Sequence, residues 1–196
     1  MRRHRGLLCA VCFLLLTGCG PAVRFTDDSA LALSPRLAGR WLAQSEKERA
    51  ELQIAAGRSC GLVQMMGEEE SFRLCSIVAA GDYMVLAAHE LGDAPEAPRP
   101  YLLWLLRWHS KHRVSVVALD VPAGPEALGW TGRPVMSAEC AAKPVSEQRG
   151  CADLEVDPGR LPTADAERLA ALYRANSGKP EDETVFDRIE QSEKQP

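Results

Sequence analysis

Short apolar runs separated by turn residues dominate the middle of this chain, from Glu51 to Asp120. Each run has the length of a strand, and glycine-containing turns such as Gly67–Glu70 and Gly81-Asp82 separate the runs. The run Tyr101–Trp108 is apolar on both faces, which predicts a central strand that is covered on both sides. The pattern predicts a mainly β fold of about six to eight antiparallel strands, a meander forming a small barrel or curved sheet.

One hairpin in this series carries two cysteines. The strands Cys60–Met66 and Ser71–Val78 flank the acidic turn Gly67–Glu70. If that turn is centred near residues 67 and 68, Cys60 and Cys75 face each other across the two strands. Paired strands bring such Cα atoms to about 5 Å, which is within disulfide reach. The hairpin therefore predicts a Cys60–Cys75 disulfide.

A second hairpin joins the most apolar strand to its successor. The polar turn at 109–113 places Trp108 near Val114 and Trp104 near Ala118. Large aromatic side chains on this strand are candidates for lining an apolar ligand cavity or a groove for a partner. These candidates are Tyr101, Trp104 and Trp108. They also fit an ordinary packed core, and the sequence leaves that choice open.

The C-terminal part has helical periodicity. Thr163 is a candidate N-cap, and the apolar positions that follow it share one stripe: Ala166, Leu169, Ala170, Leu172 and Tyr173. We expect this helix to pack on the sheet. Within residues 179–196, Val185, Phe186 and Ile189 predict a last short helix, and a disordered tail follows it.

The N-terminus divides into zones of different chemistry. Met1–Arg5 is basic and Gly6–Leu16 is uncharged and apolar. This apolar run is shorter than the roughly 20 residues that span a bilayer, and its length is typical of a signal peptide. It ends in Leu16-Thr17-Gly18-Cys19, which resembles the lipobox of bacterial lipoproteins.

The lipobox resemblance implies a membrane anchor on Cys19. In bacterial lipoproteins the signal, here residues 1–18, is removed, a diacylglycerol is attached to the cysteine sulfur, and an N-acyl chain such as palmitate often follows. Two or three acyl chains anchor a protein firmly. Gly20, where enterobacterial lipoproteins retained in the inner membrane carry aspartate, implies the outer membrane facing the periplasm. Residues 19–33 are then expected to form a tether before a single mostly-β domain at 34–178.

The net charge of the chain narrows the classes of possible partner. Removing residues 1–18 takes away three arginines and no acid, so the formal charge falls from −4 to −7. An acidic chain without a basic run argues against nucleic acid as a partner.

The cysteines outside the signal can form disulfides. With Cys19 lipidated, an even set of four remains: Cys60, Cys75, Cys140 and Cys151. Three disulfide connectivities are open, the local one being Cys60–Cys75 with Cys140–Cys151, and no spacing favours zinc.

A second, smaller resemblance lies at the start of the β region. Gly39-Arg40-Trp41 is similar to the Gly-x-Trp start of lipocalins. The resemblance covers three residues and implies a lipocalin-like barrel with an apolar ligand.

Residues with catalytic chemistry are few and scattered. His109 and His112 lie beside cations in an expected turn, and no motif ties His89 to a nucleophile. We therefore expect a non-enzymatic protein without a metal or a cofactor other than the lipid on Cys19. Two functions follow: an envelope module that binds a protein or has a structural role, and alternatively a lipocalin-like carrier of an apolar small molecule or lipid.

Overall fold

The structure, a computed structural model, describes residues 23–44, 49–57, 59–66, 71–91, 101–119, 124–136, 141–144, 153–178 and 183–189. Cys19, Cys140 and Cys151 and the predicted signal peptide lie outside these ranges. Among the described residues, no helix is long and apolar enough to cross a membrane.

Eight antiparallel strands form a closed barrel. Seven of them follow one another as a meander, and the eighth closes the sheet between the last and the first of the seven. In chain order the strands are β2 (Gly39–Gln44), β3 (Arg49–Ala55), β4 (Gly61–Met65), β5 (Ser71–Ala80), β6 (Tyr83–Glu90), β7 (Leu102–Ser110), β8 (Arg113–Ala118) and β11 (Glu183–Ile189). The predicted mainly β fold with a small antiparallel barrel is confirmed.

A second layer covers the outer face of one side of the barrel. It contains a three-stranded sheet, β1 (Val23–Phe25), β10 (Asp153–Val156) and β9 (Arg133–Val135), with β10 in the middle. Two helices accompany it, α1 (Gly124–Ala127) and α2 (Ala166–Asn176). Three 3-10 turns complete the described elements: Asp28–Ala30, Pro35–Leu37 and Pro158–Arg160.

Helix α2 is the predicted packing helix. Its N-cap is Asp165, whose carboxylate accepts a hydrogen bond from the Glu167 amide, and not the expected Thr163. Leu169 and Tyr173 are its buried residues, and the helix contacts β5, β6, β7 and β8. The helix therefore covers β5 to β8, and apolar side chains on the outer face of these strands pack in one cluster with it.

Strand β7 has apolar side chains on both faces, as its sequence predicts. Leu103 and Leu105 belong to the outer cluster under α2, whereas Trp104 and Leu106 belong to the inner cluster. The hairpin register with β8 pairs Trp104 with Ala118, as expected from the turn. A strand covered on both sides is thus found at the place where the alternation of polar and apolar residues is lost.

The segment Glu183–Ile189 corrects the predicted last helix, because it is strand β11. Phe186 and Thr184 point into the barrel, and the strand pairs with both β8 and β2. A seven-residue segment has little helical stability of its own, and two unpaired strand edges offer it a full set of backbone hydrogen bonds.

The N-terminal segment corrects the predicted tether. Residues from Val23 onward form β1 and a 3-10 turn that pack on the barrel, with Val23 fully buried. The described folded unit therefore begins before residue 34 and continues past residue 178 to Ile189.

The predicted Cys60–Cys75 disulfide is present. Its Cα atoms are 4.5 Å apart, and the neighbouring pair Gly61–Leu74 is in register across β4 and β5. The bond lies in the outer cluster, beneath the N-terminal segment that contributes Leu31. It therefore links the hairpin at the point where another chain segment crosses it.

Removing this disulfide should destabilise the fold. The bond closes a loop with a sequence separation of 15, for which the chain-entropy model gives about 3 kcal/mol. We expect the paired substitution Cys60→Ala and Cys75→Ala to lower the free energy of unfolding in urea by about that amount. An unchanged unfolding midpoint relative to the oxidised wild type would contradict this expectation.

Candidate functional site in the barrel interior

Inward-pointing side chains enclose an apolar cavity of about 140 Å³. Every barrel strand contributes to its lining, because alternate residues of each strand face inward. The lining residues are Leu37, Trp41, Leu52, Ile54, Val63, Met65, Phe72, Leu74, Leu86, Ala88, Trp104, Leu106, Val114, Val116, Thr184 and Phe186. The volume is close to that of an engineered apolar cavity of about 150 Å³ that binds benzene. The interior therefore accommodates one ring or a short hydrocarbon segment.

One end of the barrel is closed by the 3-10 turn Pro35–Leu37, and we call it the plugged end. Leu37 is buried and lines the cavity. Trp41, near the start of β2, donates a hydrogen bond from its indole N–H to the Leu37 carbonyl over 2.8 Å. The Trp108 ring meets Trp41 edge-on, with ring centroids 6.1 Å apart. Aromatic packing and one hydrogen bond thus hold the plug in place.

Two arginines complete the plugged end. The Arg188 guanidinium lies 4.8 Å from the centre of the Trp41 ring and donates to the carbonyls of Arg36 and Ala38. The Arg36 guanidinium lies 4.1 Å above the Trp108 ring. These contacts satisfy the carbonyls of the plug and place cations on aromatic faces. We call the opposite end of the barrel, where Met65, Ser71 and Leu102 lie, the rim end.

The three aromatic candidates from the sequence occupy different places. Trp104 lines the cavity, whereas Trp108 lies in the inner cluster near the plugged end and is not among the lining residues, contrary to the prediction. The structure corrects the assignment of Tyr101, which lies in the outer cluster and packs against Phe25. Its hydroxyl donates to Asp28 over 3.1 Å, and burial raises the pKa of this hydroxyl. Tyr101 and Trp104 differ by an odd number of residues, so they face opposite sides of the sheet.

The cavity offers little hydrogen bonding to a ligand. Thr184 carries the one hydroxyl among its lining residues, and no lining side chain is charged. The indole N–H of Trp104 is buried and has no hydrogen-bond partner among the described residues. A charged group would lose its hydration here without a counter-ion, so the cavity is suited to apolar groups.

A polar cluster on the outer face is the feature that the sequence did not reveal. His109 Nε2 lies 2.7 Å from Ser115 Oγ, which lies 2.5 Å from the Tyr173 hydroxyl. Tyr173 donates to Glu183 over 2.7 Å. The four residues come from β7, β8, α2 and β11. No short motif joins them, so only the folded topology could reveal the cluster.

The cluster contains a serine and a histidine in contact, but its arrangement is not that of a catalytic triad. The Glu183 carboxylate lies 4.0 Å from His109 Nε2. In a catalytic triad the orienting carboxylate binds the other ring nitrogen, Nδ1. Ser115 is also completely buried, so a substrate does not reach its hydroxyl. We assign the cluster a structural role, tying α2 and the closing strand to β7 and β8.

Comparisons with known proteins return no match. No protein-family model matches the chain, and neither a curated protein nor a solved structure is significantly similar to it. Within the ranges that the structure describes, no group of three or more His, Cys, Asp or Glu residues is placed to hold a metal ion.

The outer cluster should make stability depend on pH. Burial alone would raise the pKa of Glu183, but hydrogen bonds from Ser115 and Tyr173 outweigh burial and lower it, with help from His109 and Arg107. A carboxylate with a lowered pKa stabilises the fold above its unfolded pKa of about 4.3, and that contribution is lost as the pH falls through the folded value.

We therefore expect Glu183→Gln to be less stable than wild type at neutral pH and to lose less stability on acidification. Urea unfolding at a series of pH values measures both effects. Tyr173→Phe, which removes the hydroxyl that donates to Glu183, should reduce the pH dependence in the same direction. Parallel stability profiles for wild type and both variants would disprove the assignment.

Proposed function

We propose that this protein is a lipid-anchored envelope lipoprotein whose barrel carries an apolar small molecule or a hydrocarbon segment of a lipid. The observation that carries the proposal is the closed barrel with an apolar cavity that is plugged at one end. The sequence left a protein-binding or structural module and an apolar carrier as alternatives. We favour the carrier because a fold selected for packing alone would have closed the cavity.

The Gly-x-Trp resemblance gains a physical basis from the plugged end. Gly39 begins β2 with φ of 133°, a conformation that residues with a Cβ rarely adopt. Two residues later, Trp41 contacts both the plug and Arg188. A glycine that redirects the chain and a tryptophan that seals the barrel are therefore both needed here, which supports a lipocalin-like carrier. A fold does not by itself imply a function, so the proposal depends on the cavity.

The size and chemistry of the cavity define the ligand class. A volume of about 140 Å³ is below the range of about 300–1,000 Å³ that holds drug-sized ligands. Its lining has no cation for a carboxylate or phosphate. We propose that it takes the hydrocarbon end of an acyl chain or a single apolar ring, with any headgroup left at the rim end.

Filling the cavity should abolish binding without unfolding the protein. Ala88 lines the cavity, and in Ala88→Phe a phenyl ring would occupy a space of about benzene size. We expect the affinity for lauric acid, followed by tryptophan fluorescence, to fall by a factor of about ten or more. Added volume in a core costs about 1–3 kcal/mol, so thermal unfolding should show a lower melting temperature with one transition.

The matched control is Ala55→Phe, which makes the same substitution at an exposed, outward-facing position at the end of β3. It should bind lauric acid like wild type. Equal affinity of wild type, Ala88→Phe and Ala55→Phe would place lauric acid elsewhere, and the absence of saturable binding to wild type would count against the carrier.

Lipidation of Cys19 has its own test. Cys19→Ser removes the thiol to which the diacylglycerol is attached, so we expect no incorporation of a palmitate analogue and release of the protein from the membrane fraction. Cys9→Ser, within the predicted signal peptide, is the matched control and should leave labelling unchanged. Continued labelling of Cys19→Ser would disprove the anchor.

A further inference from the structure

The N-terminal strand attaches to the barrel at the rim end. Val23 and Tyr101 exchange two backbone hydrogen bonds, of 3.0 and 2.7 Å. Tyr101 immediately precedes β7, whose first residue, Leu102, pairs with Ala88 far from the hairpin turn at the plugged end. Because Val23 is fully buried as well, the position of this first described residue is fixed.

This attachment limits where the anchor can lie. Cys19 precedes Val23 by four positions, which span at most about 14 Å when fully extended. Strand β7 has nine residues, about 30 Å of strand, and a tilt of about 40° reduces this to a barrel height of roughly 23 Å. The backbone of Cys19 therefore stays in the surroundings of the rim end and falls short of the plugged end.

Large apolar side chains are exposed at the same end. Met66, just after β4, is 56% exposed, and its amide donates to the Glu51 carbonyl of β3. Leu91, just after β6, is 42% exposed, and its amide donates to the Ser71 carbonyl at the start of β5. Exposed apolar side chains beside the entrance to an apolar cavity match the chemistry of a bilayer interior.

We propose that the rim end faces the bilayer that holds the Cys19 anchor, with Met66 and Leu91 at the lipid surface. The proposal rests on the lipidation and carrier function proposed above. It gives the cavity a source of ligand, because an acyl chain then passes between membrane and barrel without crossing water. The partner is thus the lipid surface itself.

Introduced tryptophans test this orientation. We compare Met66→Trp, Leu91→Trp and Leu62→Trp in the full lipidated chain, reconstituted in phosphatidylethanolamine and phosphatidylglycerol vesicles that contain brominated acyl chains. Leu62 is the matched control, because it is 41% exposed on β4, the strand that Met66 follows, but pairs with Ala55 towards the plugged end. After subtraction of the wild-type signal, quenching at Met66 and Leu91 should exceed that at Leu62 by about two-fold or more.

The outcomes separate this proposal from the function on which it rests. Palmitate labelling and lauric acid binding report on the anchor and the carrier in the same preparations. Equal quenching at the three positions, or stronger quenching at Leu62, in labelled protein would overturn the orientation whatever the binding result. Near-UV circular dichroism identifies any variant that fails to fold, and Met66→Asn with Leu91→Asn then replaces it. That uncharged pair should slow fatty acid transfer from vesicles several-fold while Leu62→Asn does not, and equal rates would equally overturn the proposal.

Discussion

The double pairing of β11 is the interaction on which the rest of the structure depends. This strand forms antiparallel ladders with β8 on one side and with β2 on the other, so the sheet has no free edge. The geometry of the closed barrel keeps the inward side chains of opposite strands apart. Without closure, side-chain packing would collapse the cavity between them. The same strand supplies Arg188 to the plugged end and Glu183 to the outer polar cluster. Loss of this one pairing would therefore open the barrel, the plug and the attachment of α2 together.

The outer face of the barrel wall carries a packed apolar cluster, and the inner face encloses the cavity. On the outer face, α2, the three-stranded sheet and the N-terminal segment bury a continuous cluster that includes the disulfide. Apolar burial of this kind stabilises a fold by roughly 25 cal/mol per Å² of buried area. With that cluster outside, the interior does not have to be filled, and apolar surface remains available to a ligand. An unfilled cavity lowers stability, and the packed outer cluster offsets that loss.

Local pattern predicted much of this fold because hairpin geometry is itself local. The turn near residues 67 and 68 determined the opposition of Cys60 and Cys75, and the turn after Trp108 placed Trp104 opposite Ala118. Strand β11 was not predicted because its partner strands lie far away in sequence, and no local pattern within Glu183–Ile189 indicates this pairing. The site was predicted only in part for a related reason: β7 is apolar on both faces, so its sequence does not tell which of Tyr101 and Trp104 points inward. The cluster around Ser115 joins four separate elements and leaves no local signal.

The N-terminal segment, from Val23 to Leu37, connects the rim end of the barrel to the plugged end. It begins at Val23 beside the rim end, crosses the outer face where Ser76 donates its amide hydrogen to the Ala32 carbonyl, and ends in the plug at Leu37. One continuous segment therefore extends from the predicted anchor to the closure of the cavity. Its middle is held in the outer cluster, over the Cys60–Cys75 disulfide. Under the proposed function, anchoring and ligand entry thus share one end of the barrel, while the contacts that seal the cavity lie at the other.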